Sequence, residues 1–272
     1  MENSRRIIKM TKDFKEEFNK FKDMLTTGEN FAFARYSDGE MFIMQNKTVV
    51  LAPSYFVTGD RVGNNIYTKE EQKEFLPDKH QFHREKLIES FQFREKNYFK
   101  GVCTKTDVGE ENFNWQINLH GSGDEDSLTF ANVLINSNYP RYVEEIVPLF
   151  KNKEIIYVVN EAANLAGLPF EIKKEFRIGS NCMINNYDTA EEVKKYIADN
   201  NIENHLILCS AASLSNFVIH ECYKENQNNT FLDIGSSLNP YLDLEGWKFT
   251  RGYLTSYWMK SSSHWGNQVD EW

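Results

Sequence analysis

From Leu128 to Ile234 short apolar runs alternate with amphipathic stretches, and nothing else in the chain narrows its fold as much. Phe130–Ile135, Glu154–Val159, Phe176–Ile178, Leu206–Cys209 and Thr230–Ile234 are strand-length runs rich in β-branched and aromatic residues. Between them Pro140–Phe150, Thr189–Asn200 and Ser213–Glu225 read as helices, with Thr189 as an N-cap and Glu192 three residues later. A helix-like run after Asn160-Glu161-Ala162 ends near Gly167. Such alternation predicts an α/β fold: a Rossmann-like, mostly parallel sheet with flanking helices. Sheets of this kind bind ligands at the carboxyl ends of their strands, so residues just after strands are the first candidates for chemistry.

The first half is less regular. Phe14–Leu25 has apolar residues at helical spacing (Phe14, Phe18, Phe21, Leu25), and Gly28 ends the helix. Phe31–Tyr36 is a strand; Ser37–Glu40 is a turn that feeds the apolar run Met41–Met44. Leu51–Asp78 reads as loop with some helix near Lys69–Phe75, Lys79–Arg94 as helix and Tyr98–Cys103 as strand. Thr104–Asp126, with Gly109, Gly121 and Gly123 among acidic residues, reads as a long loop. No repeat and no Pro- or Gly-rich linker divides residues 1–272, which therefore read as one domain. Residues 246–272 form an aromatic tail without a clear period (Trp247, Tyr253, Tyr257, Trp258, Trp265, Trp272). It either closes over a substrate or packs on a second copy, making a homo-oligomer.

A net charge of −9 argues against a generic binder of nucleic acid or anionic membrane, though not against a local basic pocket for phosphate. No apolar run is long enough to cross a membrane, and Met1–Met10 lacks a secretory signal's apolar stretch. Cys103, Cys182, Cys209 and Cys222 match no zinc spacing and read as reduced core residues, with a cytoplasmic location as the default. An aromatic content of 14% suits a thick core or a site that stacks on bases and sugar rings.

Arg35-Tyr36-Ser37-Asp38-Gly39-Glu40 carries the sharpest chemical signal. In a turn relaxed by Gly39, the carboxylates of Asp38 and Glu40 can converge as hard oxygen ligands for Mg²⁺ or Mn²⁺ beside a diphosphate. Arg35 can add a bidentate phosphate contact. The same residues admit a plain alternative, because Ser37-x-x-Glu40 before an apolar run is a capping box that needs no metal.

Other strand ends supply further candidates. Ser210-Ala211-Ala212-Ser213 opens a helix, so its small residues and free N–H groups can approach a phosphate or ribose, or simply make a tight turn with Ser213 as N-cap. Asp233 can hold a ribose hydroxyl, act as a base or cap the loop of Asn239. Asn160-Glu161 follows a strand, where Glu161 is either a site carboxylate or the acidic start of a helix. His80-x-x-His83 lacks a third metal ligand and reads as a solvated face. His120 is a loop residue, and the acidic series from Asp107 to Asp126 is solvated charge that can still include an acceptor-activating base.

The hexapeptide at Arg35, placed after a helix and a strand, resembles the Arg-x-Gly-Asp-Gly-Glu signature of GT-D-type glycosyltransferases, with Ser37 where glycine is usual. Leu206–Ala212, a helix and then Phe231-Leu-Asp233-Ile-Gly235 look like the late βαβ unit of that family, with Ser236 where the family often has histidine. The resemblance implies a GT-D-like fold, with Asp38 and Glu40 as the pair serving metal and nucleotide sugar and Arg35 beside them. It implies metal-dependent transfer from a nucleoside-diphosphate sugar, a uridine diphosphate sugar foremost, to a glycan or glycosylated acceptor. Asp233 or Glu161 would deprotonate the acceptor hydroxyl, and Arg35, Asn160, Ser210, Ala211, Ser213 and Asp233 would line the donor site. Two alternatives stand: an S-adenosylmethionine methyltransferase using Asp233–Gly235 as a cofactor loop, and a non-catalytic carbohydrate- or protein-binding module using the aromatic tail.

Overall fold

The structure, a computed structural model, describes residues 11–272; the run Met1–Met10, expected to lack a secretory signal, lies outside them. Its strands are β1 (Ala32–Tyr36), β2 (Val49–Leu51), β3 (Phe56–Thr58), β4 (Arg61–Gly63), β5 (Lys73–Phe75), β6 (Tyr98–Val102), β7 (Leu128–Phe130), β8 (Ile155–Asn160), β9 (Lys174–Ile178), β10 (Leu206–Cys209) and β11 (Thr230–Asp233). The α-helices are α1 (Phe14–Thr27), α2 (Asp38–Met44), α3 (Gln81–Gln92), α4 (Lys105–Val108), α5 (Glu110–His120), α6 (Tyr139–Arg141), α7 (Cys182–Asn185), α8 (Thr189–Asp199), α9 (Leu214–Glu225), α10 (Trp247–Thr250) and α11 (Gly252–Trp258).

Seven strands form one sheet in the order β7-β6-β1-β11-β10-β8-β9, and every pairing in it is parallel. The chain starts in the middle at β1, moves to one edge through β6 and β7, crosses to β8 and β9, and returns through β10 and β11. Its first and last strands thus become neighbours (Ala32 opposite Phe231), creating the switch point at which open α/β sheets form a crevice. Side chains alternate across the sheet as strand geometry requires. Ala32, Ala34 and Tyr36 face a core shared with α2, α3, α5, α8 and α9; Phe31 and Phe33 face one shared with α1 and the C-terminal helices. The predicted Rossmann-like α/β architecture is observed.

Local signals explain the regular parts. Asp13 accepts hydrogen bonds from the N–H groups of Lys15 and Glu16, both at 2.9 Å, and Gly28 ends α1 in the left-handed region at φ 74°. All four cysteines are free and buried. Among the described residues no helix is long and apolar enough to cross a membrane.

Several elements differ from expectation. Leu51–Asp78, expected as loop and helix, contributes to a four-stranded antiparallel sheet, β4-β3-β2-β5, with only a 3-10 turn at Lys69–Glu71. Three-residue strands are too short to display alternation, yet the Gly59-Asp60 hairpin between Thr58 and Arg61 was a readable signal. Thr104–Asp126, expected as a long loop, holds α4 and α5. Thr104 and Asp107 form a reciprocal capping box, and Phe113, Gln116, Ile117 and His120 line the buried face at helical spacing. His120 is therefore a helix end, not a loop residue. The strand expected over Phe130–Ile135 stops at Phe130. Asp188, not Thr189, precedes α8, and Thr189 is its buried first residue. The predicted helix Pro140–Phe150 is irregular, with π geometry at Tyr142–Ile146 and 3-10 geometry at Val147–Asn152, because Pro148 offers no N–H to the helical ladder. After Ala162 only a 3-10 turn forms, at Leu165–Gly167, and the tail contains α10, α11 and a 3-10 turn at His264–Gly266.

Candidate active site

The carboxyl ends of β1, β8, β10 and β11 open into a cleft of about 660 Å³, walled by the small sheet on one side and by the C-terminal segment on another. Of the residues expected at a site, Arg35, Asp38, Glu40, Asn160, Ser210, Ala211, Ser213 and Asp233 all line it. Glu161 does not. It is exposed at the rim, its carboxylate beside Gly179.

Asp233 ends β11 and is only 4% exposed. Burial pushes its carboxyl up to about 7; the nearby Arg35 guanidinium opposes the rise, and the Glu40 carboxylate adds to it. One oxygen accepts the Gly235 N–H at 3.0 Å. Arg35, at the end of β1, is fixed by a 2.7 Å hydrogen bond from its Nε to the Ala131 carbonyl. Gly235 has φ 50°, and a Cβ there would collide with the Nη1 of Arg35. Glycine is thus required both for the turn and for the guanidinium's approach. Gly235→Ala is expected to destabilise the fold by about 1–2 kcal/mol and to displace Arg35. Loss of that cation would send the Asp233 carboxyl higher still. Urea unfolding and a carboxyl NMR titration read the two effects, and an unchanged titration would show that Arg35 does not act on Asp233.

Ser37–Glu40, expected as a turn, is the first turn of α2 together with its cap. Glu40 is 7% exposed and both its oxygens are engaged: one accepts the Ser37 N–H at 3.1 Å, the other the Ser213 hydroxyl at 2.5 Å. The capping box is therefore formed, and Glu40 also ties α2 to the start of α9. Ser213 stands at the N-cap position of α9, but its hydroxyl serves Glu40 and not its own helix. Asp38 is exposed to the cleft, with one oxygen accepting the N–H of Gly39 at 2.9 Å.

The strand-to-helix turn after β10 is strained, with Ala212 at φ 44°. The N–H groups of Ala212 and Ser213 donate to no acceptor among the described residues, which leaves them available to an anion at the start of α9. The Ser210 hydroxyl is paired with that of Tyr157 at 2.8 Å. Asn160 turns its side chain back to accept the Ala162 N–H at 2.9 Å, so it shapes the strand end.

Two cations of the cleft had no local signal. Lys73 comes from β5, and a Cβ on Gly39 would stand 2.9 Å from its Nζ, so the ammonium lies over the first turn of α2. Arg251 precedes α11 and donates from Nε to the Ser236 hydroxyl at 3.0 Å. Glu71 joins their two walls, accepting the Thr250 hydroxyl at 2.6 Å with Arg251 at 3.7 Å. Asn132, Asn136 and Trp265 also line the cleft, and none was singled out as a site residue.

A divalent ion shared with a diphosphate needs one or two protein carboxylates, the phosphates and water supplying the rest. Asp38, exposed in the cleft, has the chemistry to supply one such carboxylate. Glu40, expected to share the ion, already accepts one hydrogen bond on each oxygen. Among the described residues the group of three side chains close enough to ligate a metal is Glu89, His220 and Glu221, outside the cleft.

No family model and no curated protein matches the chain. Solved structures do resemble it. One, described as showing that the highly conserved domain of unknown function 1792 has a distinct glycosyltransferase fold, matches with a TM-score of 0.52 at 11% identity, over 85% of this chain and 79% of that one. A selenomethionine-substituted structure of the same domain matches with a TM-score of 0.50 at 12% identity, over 85% and 79%. A third, described as a new glycosyltransferase of this domain type from Streptococcus sanguinis, gives 0.49 at 14% identity, over 85% and 82%. Identities this low speak to architecture, and at that level the GT-D-like expectation is met: the chain has the fold of domain of unknown function 1792.

Proposed function

We propose that the chain is a glycosyltransferase that moves a sugar from a nucleoside-diphosphate sugar, a uridine diphosphate sugar being the donor to try first, to a glycan or glycosylated acceptor. The observation that carries this reading is Asp233, a buried carboxylate held near neutral pKa beside Arg35 at the switch point of the sheet. A carboxylate in that range can accept a proton from an acceptor hydroxyl at neutral pH. Arg35 faces charge developing next to it, and the free N–H groups of Ala212 and Ser213, with Lys73 over α2, suit a diphosphate leaving group. Glu40 acts as a strut that holds α2 and α9 in register. We assign the contact to Mn²⁺ or Mg²⁺ to Asp38 together with the donor's own phosphates. When bound there, the ion would neutralise charge on the departing diphosphate.

Calorimetric titration with uridine diphosphate, with and without Mn²⁺, tests the reading. Binding is expected, and the metal should tighten it at least about tenfold, or about 1.4 kcal/mol. Binding indifferent to metal removes the Asp38 assignment, and absence of nucleotide binding removes the donor. S-adenosylmethionine binding in its place would favour a methyltransferase. A hydrolysis screen over nucleotide sugars then identifies the donor, with candidate acceptors included because an acceptor often completes such a site.

A further inference from the structure

We propose that the wall of the cleft formed by Trp265, Asn132 and Asn136 is a subsite for the saccharide acceptor. The assignment rests on the glycosyltransferase reading for the role of the ligand, and on the wall itself for its chemistry.

Trp265 is 41% exposed and lines the cleft. The side chain is held: a Cβ on Gly252 would stand 2.7 Å from its Cδ1, and the His264 ring packs at 4.7 Å on it. An indole held in this way and 41% exposed offers apolar surface that matches the C–H face of a sugar ring. Beside it, Asn136 donates from Nδ2 to Asp270 at 2.9 Å and Asn132 donates from Nδ2 to Asp107 at 3.2 Å. Both amides are thereby oriented, and their carbonyl oxygens accept nothing from the described residues, which leaves them for sugar hydroxyls. Asp270 is 2% exposed and also receives Gln268 Nε2 at 2.6 Å. Burying a carboxylate to aim amides is costly for packing alone and useful where orientation matters.

Position points the same way. The anion cradle after β10 lies one strand beyond β11, while Asn132 follows β7, three strand steps on the other side, about 14 Å. Asp233 and Arg35 stand between the two, and Arg35 reaches the acceptor wall directly through the Ala131 carbonyl. By that order a saccharide held at Asn132 lies on the β1 side of the buried carboxylate, away from the anion cradle.

The test is saturation-transfer NMR on the full chain with cellobiose, lactose, maltose and chitobiose as probes, with Trp265→Ala, Trp265→Phe and Phe82→Ala as variants. At least one disaccharide is expected to bind, and Trp265→Ala should weaken it at least about tenfold while Trp265→Phe keeps it within about threefold. Phe82 is exposed on α3 outside the cleft, and its loss should change nothing. Absence of binding to the wild-type chain, or binding undiminished in Trp265→Ala, overturns the subsite. Uridine diphosphate titrated in parallel judges the donor reading separately. Disaccharide binding without nucleotide binding leaves the subsite standing and removes the transferase.

Discussion

Asp233→Asn should lose sugar transfer by about 10²–10⁴-fold and yet, at pH above about 7, melt higher than the parent chain. Both effects come from the same buried carboxyl. In the folded chain burial pushes it from 3.8 to about 7, against the pull of Arg35. A group whose folded pKa is raised contributes its stability below the unfolded pKa and loses it as pH climbs to the folded one. Ionising Asp233 therefore destabilises the native state progressively between about pH 4 and 7, by at most on the order of 4 kcal/mol. Asparagine removes that burden but leaves Arg35 without its counter-charge, so a net gain of about 1–3 kcal/mol at pH 8 is expected. At pH 4, where the wild-type side chain is already neutral, the two chains should unfold alike. The wild-type pH–rate profile should rise through about 7 as the base deprotonates and then level off. Thermal melts at the two pH values and steady-state transfer assays check the pair of effects. A variant that keeps a tenth or more of its activity, or that melts lower at pH 8, would remove Asp233 from the role of base.

How much of this could be read from residues alone depended on whether the signal was local. The alternation from Leu128 to Ile234 is a local property of each segment, and it led to the parallel sheet and to the strand ends at Ser213 and Asp233, while Arg35 was legible from the hexapeptide that begins with it. Two further signals were local but overlooked. The Thr104-x-x-Asp107 capping box begins helical residues that their acidic composition disguised as loop, and Gly59-Asp60 marks the hairpin of the small sheet. Other residues had no local signal. Lys73 lies on a strand of three residues, and only the folding of β5 over α2 brings its ammonium to Gly39. Arg251 and Trp265 belong to a tail without periodicity, which reaches the cleft because Tyr253 and Leu254 bury in the core beneath it. The strained Ala212 shows the same limit, since no propensity places alanine in the left-handed region, where it stands in the short turn between β10 and α9.

Asp38 and Glu40, two positions apart and alike in sequence, should behave as different kinds of residue. Glu40→Ala removes the acceptor of the Ser37 N–H and of the Ser213 hydroxyl, and leaves that hydroxyl buried without a partner. The loss is expected to cost about 2–4 kcal/mol of stability, seen as a lower urea midpoint with unchanged slope. Glu40→Gln keeps one oxygen for the Ser37 N–H and offers an amide that the Ser213 oxygen can accept, so most of that stability should return. Asp38→Ala should change the stability by only about 0.5 kcal/mol, the worth of an exposed charge at a helix start, while abolishing the tightening of uridine diphosphate binding by Mn²⁺. The opposite pattern is equally readable. If Glu40→Gln folds like the parent but loses the response to metal as fully as Asp38→Ala does, Glu40 must leave Ser37 and Ser213 when the donor arrives. The capping box would then be a resting position of the site, and both carboxylates would share the ion.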